Sequence, residues 1–160
     1  MEKEAALGAG AAQKQLDAQL QALCESGRLK QAERDAVADR KIEAFLNTAL
    51  ARRMARAQQA GKLYREQPFV LGLPANKLGE DLPEEETVLI QGIIDVFFEE
   101  EDYIVVADYK TDRVEKAEEL IRRYQVQLDY YAQALERLTG KKVKEKLIYS
   151  FALSKELRLV

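Results

Sequence analysis

The chain has 160 residues, of which 47% are hydrophobic and 33% charged, with a formal charge of −3; this is the balance of one folded domain with a helical extension, not of a disordered chain. It contains no histidine and one cysteine, Cys24, which excludes histidine acid–base chemistry, the usual zinc sites, an internal disulfide and a cysteine-held iron–sulfur cluster. No apolar run nears the roughly 18 residues of a membrane span, no Walker-type phosphate loop is present, and MEKEAALGAG lacks a signal-peptide core, so a cytoplasmic protein without a membrane partner is expected.

From residue 11 to 61 the chain is rich in Ala, Gln, Arg and Glu and has no proline. Leu16, Leu20 and Leu23 recur at helical spacing before Gly27. Val37, Ile42, Phe45, Leu46, Leu50 and Met54 mark a second helical stretch that ends at Gly61. Two or three helices are expected here, forming an N-terminal segment over 1–61 that packs on a core over 62–160. Residues 63–74 read as a strand, followed by the polar loop ANKLGEDLPEEE. Residues 87–99 and YIVVADYK (103–110) read as two strands joined by a tight turn in EEED. A long helix is expected over 115–138, with Ala117, Ile121, Tyr124, Leu128, Tyr131, Leu135 and Leu138 on one stripe and Thr139-Gly140 as its stop. A strand over 143–153 and a short one over 157–160 close the chain. Helices, three strands, helix and strand make an α/β (α+β) fold, with a mixed central sheet flanked by helices and an N-terminal helical extension.

Alternation along the strands separates the side chains into two faces. Val88, Ile90, Gly92, Ile94, Val96 and Phe98 should share an apolar face, and Asp95 the opposite one with Gln91, Ile93 and Phe97. Asp108 and Lys110 fall together with Ile104 and Val106. Asp95 interrupts an otherwise apolar strand, where a charge is usually paired or functional. Whether Asp95 and Asp108 meet depends on the strand register, which alternation leaves open. If they meet, two carboxylates among apolar neighbours call for a cation, and Mg²⁺ accepts one or two carboxylates while keeping several waters. Lys110 would then lie beside the water and the attacked phosphate. Gln127 and Tyr131 are one helical turn apart and share a face, from which Gln127 could hold Lys110 or a phosphate. Taken singly, Asp108 and Lys110 also fit solvated strand-end charges, and Tyr124, Leu128 and Tyr131 fit a helix core.

GIID (Gly92–Asp95), DYK (Asp108–Lys110) and Gln127-x-x-x-Tyr131, in that order, resemble the three motifs of RecB-type PD-(D/E)XK nucleases. The chain looks most like the C-terminal nuclease domains of the AddA subunits of bacterial AddAB helicase–nucleases, through YREQPF (Tyr64–Phe69), QGIIDVFF (Gln91–Phe98), DYKTDRV (Asp108–Val114), QLDYYAQAL (Gln127–Leu135) and KEKLIYSF (Lys144–Phe151). The similarity runs from about Lys41 to the end of the sequence. It implies a restriction-endonuclease-like core and a DNA exonuclease acting in double-strand break repair and recombination. It implies a Mg²⁺ site (Mn²⁺ able to substitute) made by Asp95, Asp108 and the carbonyl of Tyr109. Lys110 would be the catalytic lysine, Gln127 and Tyr131 the last motif, and Glu66 the early acidic position. The implied partners are single-stranded DNA ends, a helicase portion of the same subunit, plus a second, AddB-type subunit. The family usually adds a histidine from an upstream helix, which this chain does not have. The alternative expectation is a catalytically weak, nuclease-like module that docks onto a helicase partner. A chain of net charge −3 would in either case leave much of the grip on DNA to another polypeptide.

Overall fold

The computed structural model describes residues 2–79, 83 and 85–160, with side-chain surroundings from Lys14 onward. The chain forms two compact units, Met1–Asn47 and Thr48–Val160. The first holds three helices, α1 (Glu2–Glu25), α2 (Gln31–Ala36) and α3 (Asp39–Leu46). Gly27 follows α1 with φ 71°, the left-handed turn that glycine adopts without a Cβ penalty. Arg34 ties the unit together, reaching Asp39 through two bonds of 2.9 and 3.0 Å and Asp17 at 3.3 Å.

The second unit begins with α4 (Ala49–Gln59). Four helices precede the sheet, one more than the pattern suggested. Thr48 caps α4, its Oγ1 accepting the Ala51 N–H at 3.0 Å. At the other end Gly61 has φ 68° and the Lys62 N–H returns to the Ala57 carbonyl at 2.8 Å, a Schellman-type stop.

Five strands follow in spatial order β1-β2-β3-β4-β5: β1 (Leu63–Pro74), β2 (Thr87–Glu100), β3 (Tyr103–Lys110), β4 (Lys142–Ser150) and β5 (Lys155–Leu159). All neighbours are antiparallel except β3 and β4, which are parallel because the helix α5 (Ala117–Thr139) carries the chain across between them. This is the mixed sheet flanked by helices that the element order predicts. Within the expected loop after β1, Glu80, Asp81, Leu82 and Glu84 lie outside the described residues.

The two faces of the sheet are covered by different helices. Ile104 and Val106 of β3 and Ile148 of β4 pack with Leu120, Leu128, Tyr131 and Leu135 of α5. On the other face Arg53 of α4 lies over the Phe98 ring at 5.5 Å, and the Tyr109 hydroxyl meets Met54 Sδ at 3.7 Å. In α5, Leu138 stands exposed at the end of the expected stripe, while Leu120 is buried in its place.

The single apolar face expected on β2 does not hold. Gly92 and Ile94 lie toward α5: Phe69, paired with Gly92, packs edge-on against Tyr131 at 5.4 Å, and Ile94 joins the α5 core. Further along, it is Phe97 that faces α5, paired with Val106 and stacked on Tyr64 at 4.7 Å, whereas Val96 and Phe98 turn toward α4. The alternation therefore slips by one residue between Ile94 and Phe97. The cause lies on the neighbouring strand. Arg65 pairs with Val96 and Gln67 with Ile94, but the rung between them, Glu66 opposite Asp95, is missing from the ladder, and Glu66 has φ 50°. A non-glycine residue in that region reverses the pleat locally at a cost on the order of 1 kcal/mol.

Candidate active site

The register between β2 and β3 is what brings the acidic residues together. The β2–β3 ladder runs from Glu100 opposite Tyr103 to Val96 opposite Ala107, set by the two-residue turn at Glu101-Asp102. One rung further, Asp95 comes level with Asp108, and main-chain pairing stops. In its place the Tyr109 N–H donates to Asp95 Oδ2 at 2.9 Å. The Asp95 carboxylate thus stands in for a ladder carbonyl, and it lies close enough to Asp108 for the two charges to act on each other.

Asp108 is only 2% exposed. Burial pushes its carboxyl up to about 6, the neighbouring Asp95 adds to the rise, and Lys110 opposes it. The Lys110 ammonium pairs with Asp108 Oδ2 at 2.5 Å.

Lys110 is held from three directions. Besides Asp108, it donates to Gln127 Oε1 at 3.1 Å and sits 3.9 Å from the centre of the Tyr124 ring. α5 therefore supplies the helix face expected to close over the hairpin. Tyr131, from the next turn, is spent on the protein itself: its hydroxyl donates to the Ile93 carbonyl at 3.1 Å. Burial and the nearby charges of Asp108 and Asp95 push its hydroxyl up to about 12, so it remains a neutral donor. Tyr131 braces the strand just ahead of Asp95.

The structure brings together Asp95, Asp108, the Tyr109 main chain, Lys110 and Gln127. It places Tyr131 at the wall and Glu66, exposed, on the rung opposite Asp95. Among the described residues no three His, Cys, Asp or Glu side chains gather as a metal-binding group, so the carboxylate donors here are Asp95 and Asp108. Two adjacent carboxylates, one of them buried and destabilised by the other's charge, fit a hard cation that takes few protein oxygens and retains water. Sequence reasoning missed Tyr124, which it counted as core. Its position three residues before Gln127 (i, i+3) was the available signal.

The basic residues near the sheet are engaged locally. Arg53 binds Glu100 and Glu145, Lys141 binds Glu99, Lys142 binds Glu136, Lys144 binds Glu100, and Lys146 binds Asp129. Arg53, Glu100, Glu145 and Lys144 form one ion cluster, and the other three are separate pairs.

A family model described as the PD-(D/E)XK nuclease superfamily matches residues 3–158. Among curated relatives, the A subunit of the ATP-dependent helicase/nuclease of Lachnoclostridium phytofermentans is 43% identical, covering 74% of this chain and 11% of that protein. The protein of the same name from Thermoanaerobacter sp. is 51% identical over 69% of this chain and 9% of its own length. That of Clostridium novyi is 39% identical over 90% of this chain and 12% of its own length. The chain spans about a tenth of the length of the curated relatives it matches.

Proposed function

The chain belongs to the PD-(D/E)XK nuclease superfamily, and from that premise we propose that it is the DNA-hydrolysing domain of a helicase–nuclease, an exonuclease that cuts strands delivered by a motor during double-strand break repair and recombination. The observation that carries this reading is the pairing of the half-buried Asp95 with the buried Asp108, whose Oδ2 meets the Lys110 ammonium at 2.5 Å. Asp95, Asp108 and the Tyr109 carbonyl are the oxygens that would hold Mg²⁺, or Mn²⁺ in its stead. What the cation supplies when bound is Lewis acidity toward water and phosphoryl oxygen.

The chain's own residues do the rest. Lys110 offers an ammonium to the attacking water and to the charge that grows on the phosphate. Gln127 fixes where that ammonium points. Asp95 locks the divergence of β2 from β3 through the Tyr109 N–H, and Tyr131 holds the β2 backbone ahead of it. Glu66 stands across from Asp95, where as the early acidic position it would contact the metal or lysine region.

The pairing of the local cations with acids supports a division of labour. The helicase portion and an AddB-type subunit would supply the electrostatic grip that this cytoplasmic module lacks.

Single-stranded DNA with Mg²⁺ or Mn²⁺ tests the reading. Cleavage by the native chain and a loss of at least ~100-fold in Lys110→Ala and Asp108→Ala are expected. Absence of cleavage with either metal, at every DNA length, rejects a catalytic role. Calorimetry then separates the alternative, since a docking module without catalysis would take up no divalent ion.

A further inference from the structure

Of the three groups around Lys110, the ring of Tyr124 differs in kind from the two others. A carboxylate or amide oxygen uses up an ammonium N–H, whereas the face of a ring attracts the cation as a whole. At 3.9 Å from the ring centre and 3.1 Å from Gln127 Oε1, the ammonium is fixed on two sides with a single N–H committed between them. A lysine has three donors; with one turned to Gln127 and one to Asp108, an N–H remains for a water or a phosphate oxygen.

The ring is itself fastened. The Tyr124 hydroxyl donates to Asp112 Oδ1 at 2.9 Å, and the same oxygen accepts from Arg123 at 2.8 Å. Asp112 lies two residues beyond Lys110, where the chain leaves β3, while Arg123 and Tyr124 are neighbours on α5. The bond closes a small circuit from Lys110 through the loop to Asp112, across to Tyr124 and back to the Lys110 ammonium. Without it the flexible four-carbon lysine stem is held by Gln127 and Asp108 alone.

We propose that Tyr124 is a positioning residue for Lys110, with its ring angle set by the Asp112 carboxylate and Arg123. The consequence for phosphodiester cleavage rests on the nuclease reading above; the arrangement itself does not.

Two measurements on the full chain keep these apart. In protein carrying ¹³C-lysine and no divalent ion, the Lys110 ε-methylene resonance is expected well upfield of the other lysines, from the ring current of Tyr124, and is assigned by its disappearance in Lys110→Met. It should return to the ordinary lysine position in Tyr124→Leu and move part of the way in Asp112→Ala. With single-stranded DNA and Mg²⁺, Tyr124→Phe and Asp112→Ala should each lower kcat by ~10-fold, and the double variant no further. Tyr124→Leu should lower kcat by ~100-fold, all with KM within about twofold. A Lys110 signal among the other lysines in the native chain overturns the proposal, as does native kcat in Tyr124→Leu. Multiplying losses in the double variant overturn the coupling through Asp112. A displaced signal with no cleavage by the native chain upholds the positioning and rejects the nuclease reading.

Discussion

Replacing Asp108 by Asn should make the ion-free protein more stable, and the gain should depend on pH in a way only this carboxylate explains. Asp108 is 2% exposed and its carboxyl rises from 3.8 to about 6 on folding, mainly through burial and further through Asp95. Below pH 3.8 both folded and unfolded chains hold the proton, so the carboxyl contributes nothing. Between 3.8 and 6 the unfolded chain gives up its proton while the folded one keeps it, and stability falls as pH rises. At 1.36 kcal/mol per pH unit across that window, the ionised carboxylate costs the fold on the order of 3 kcal/mol above pH 6. Asn keeps the shape and an acceptor for Lys110 but cannot ionise. Urea unfolding followed by far-ultraviolet circular dichroism, with EDTA present, should show Asp108→Asn more stable than the native chain by roughly 2–3 kcal/mol at pH 8. The two should converge near pH 4. Saturating Mg²⁺ or Mn²⁺ should stabilise the native chain by about 2.7 kcal/mol at a hundredfold excess over Kd and the variant by less. A variant less stable than the native chain at pH 8, or a difference that does not change with pH, would refute the burial account.

Two further substitutions probe the frame around the site. Glu66→Gly should raise the urea midpoint by an amount equivalent to about 1 kcal/mol, because glycine adopts φ 50° without strain; a lowered midpoint would mean that Glu66 is held there by contacts worth more than the strain. Arg53→Met, which severs the link from α4 to Glu100 and Glu145, should cost on the order of 1–2 kcal/mol at neutral pH. The Arg53 and Lys144 partners hold the Glu100 carboxyl down at about 2, so this contribution is present above pH 4.5 and should fade as pH falls from there toward 2 in acid titrations of stability.

How far the sequence reaches can be judged residue by residue. The strands were legible because β-branched runs are bounded by Gly-Pro and acidic turns, and α5 because its stripe is long and ends on Gly140, which has φ 71°. The Gln127–Lys110 contact was foreseeable once α5 was placed over the hairpin, since a strand-to-helix crossover lays one helix face on the strand ends. The meeting of Asp95 with Asp108 was not, because it depends on a register fixed by the Glu101-Asp102 turn. The faces of Val96 and Phe98 were misread for a related reason. Periodicity assumes an unbroken pleat, and the backbone reversal at Glu66 is on a different strand from the residues it displaces. Asp112 carried no signal at all, since an acid in an exposed turn looks like any other until Tyr124 is seen beside it.

The missing rung between Glu66 and Asp95 also sets how the hairpin tolerates change. A scan of polar replacements along β2 should be punished at every second residue from Ile90 to Ile94, then lose that rhythm beyond Asp95, where both faces are covered and Val96, Phe97 and Phe98 are all buried. Deleting one residue between Asp95 and the Glu101-Asp102 turn would bring Ile94 level with Asp108 and carry Asp95 off that rung. Length in this hairpin is therefore as tightly constrained as the identity of the acids, and an insertion remote from the site could silence it without touching a single reactive group.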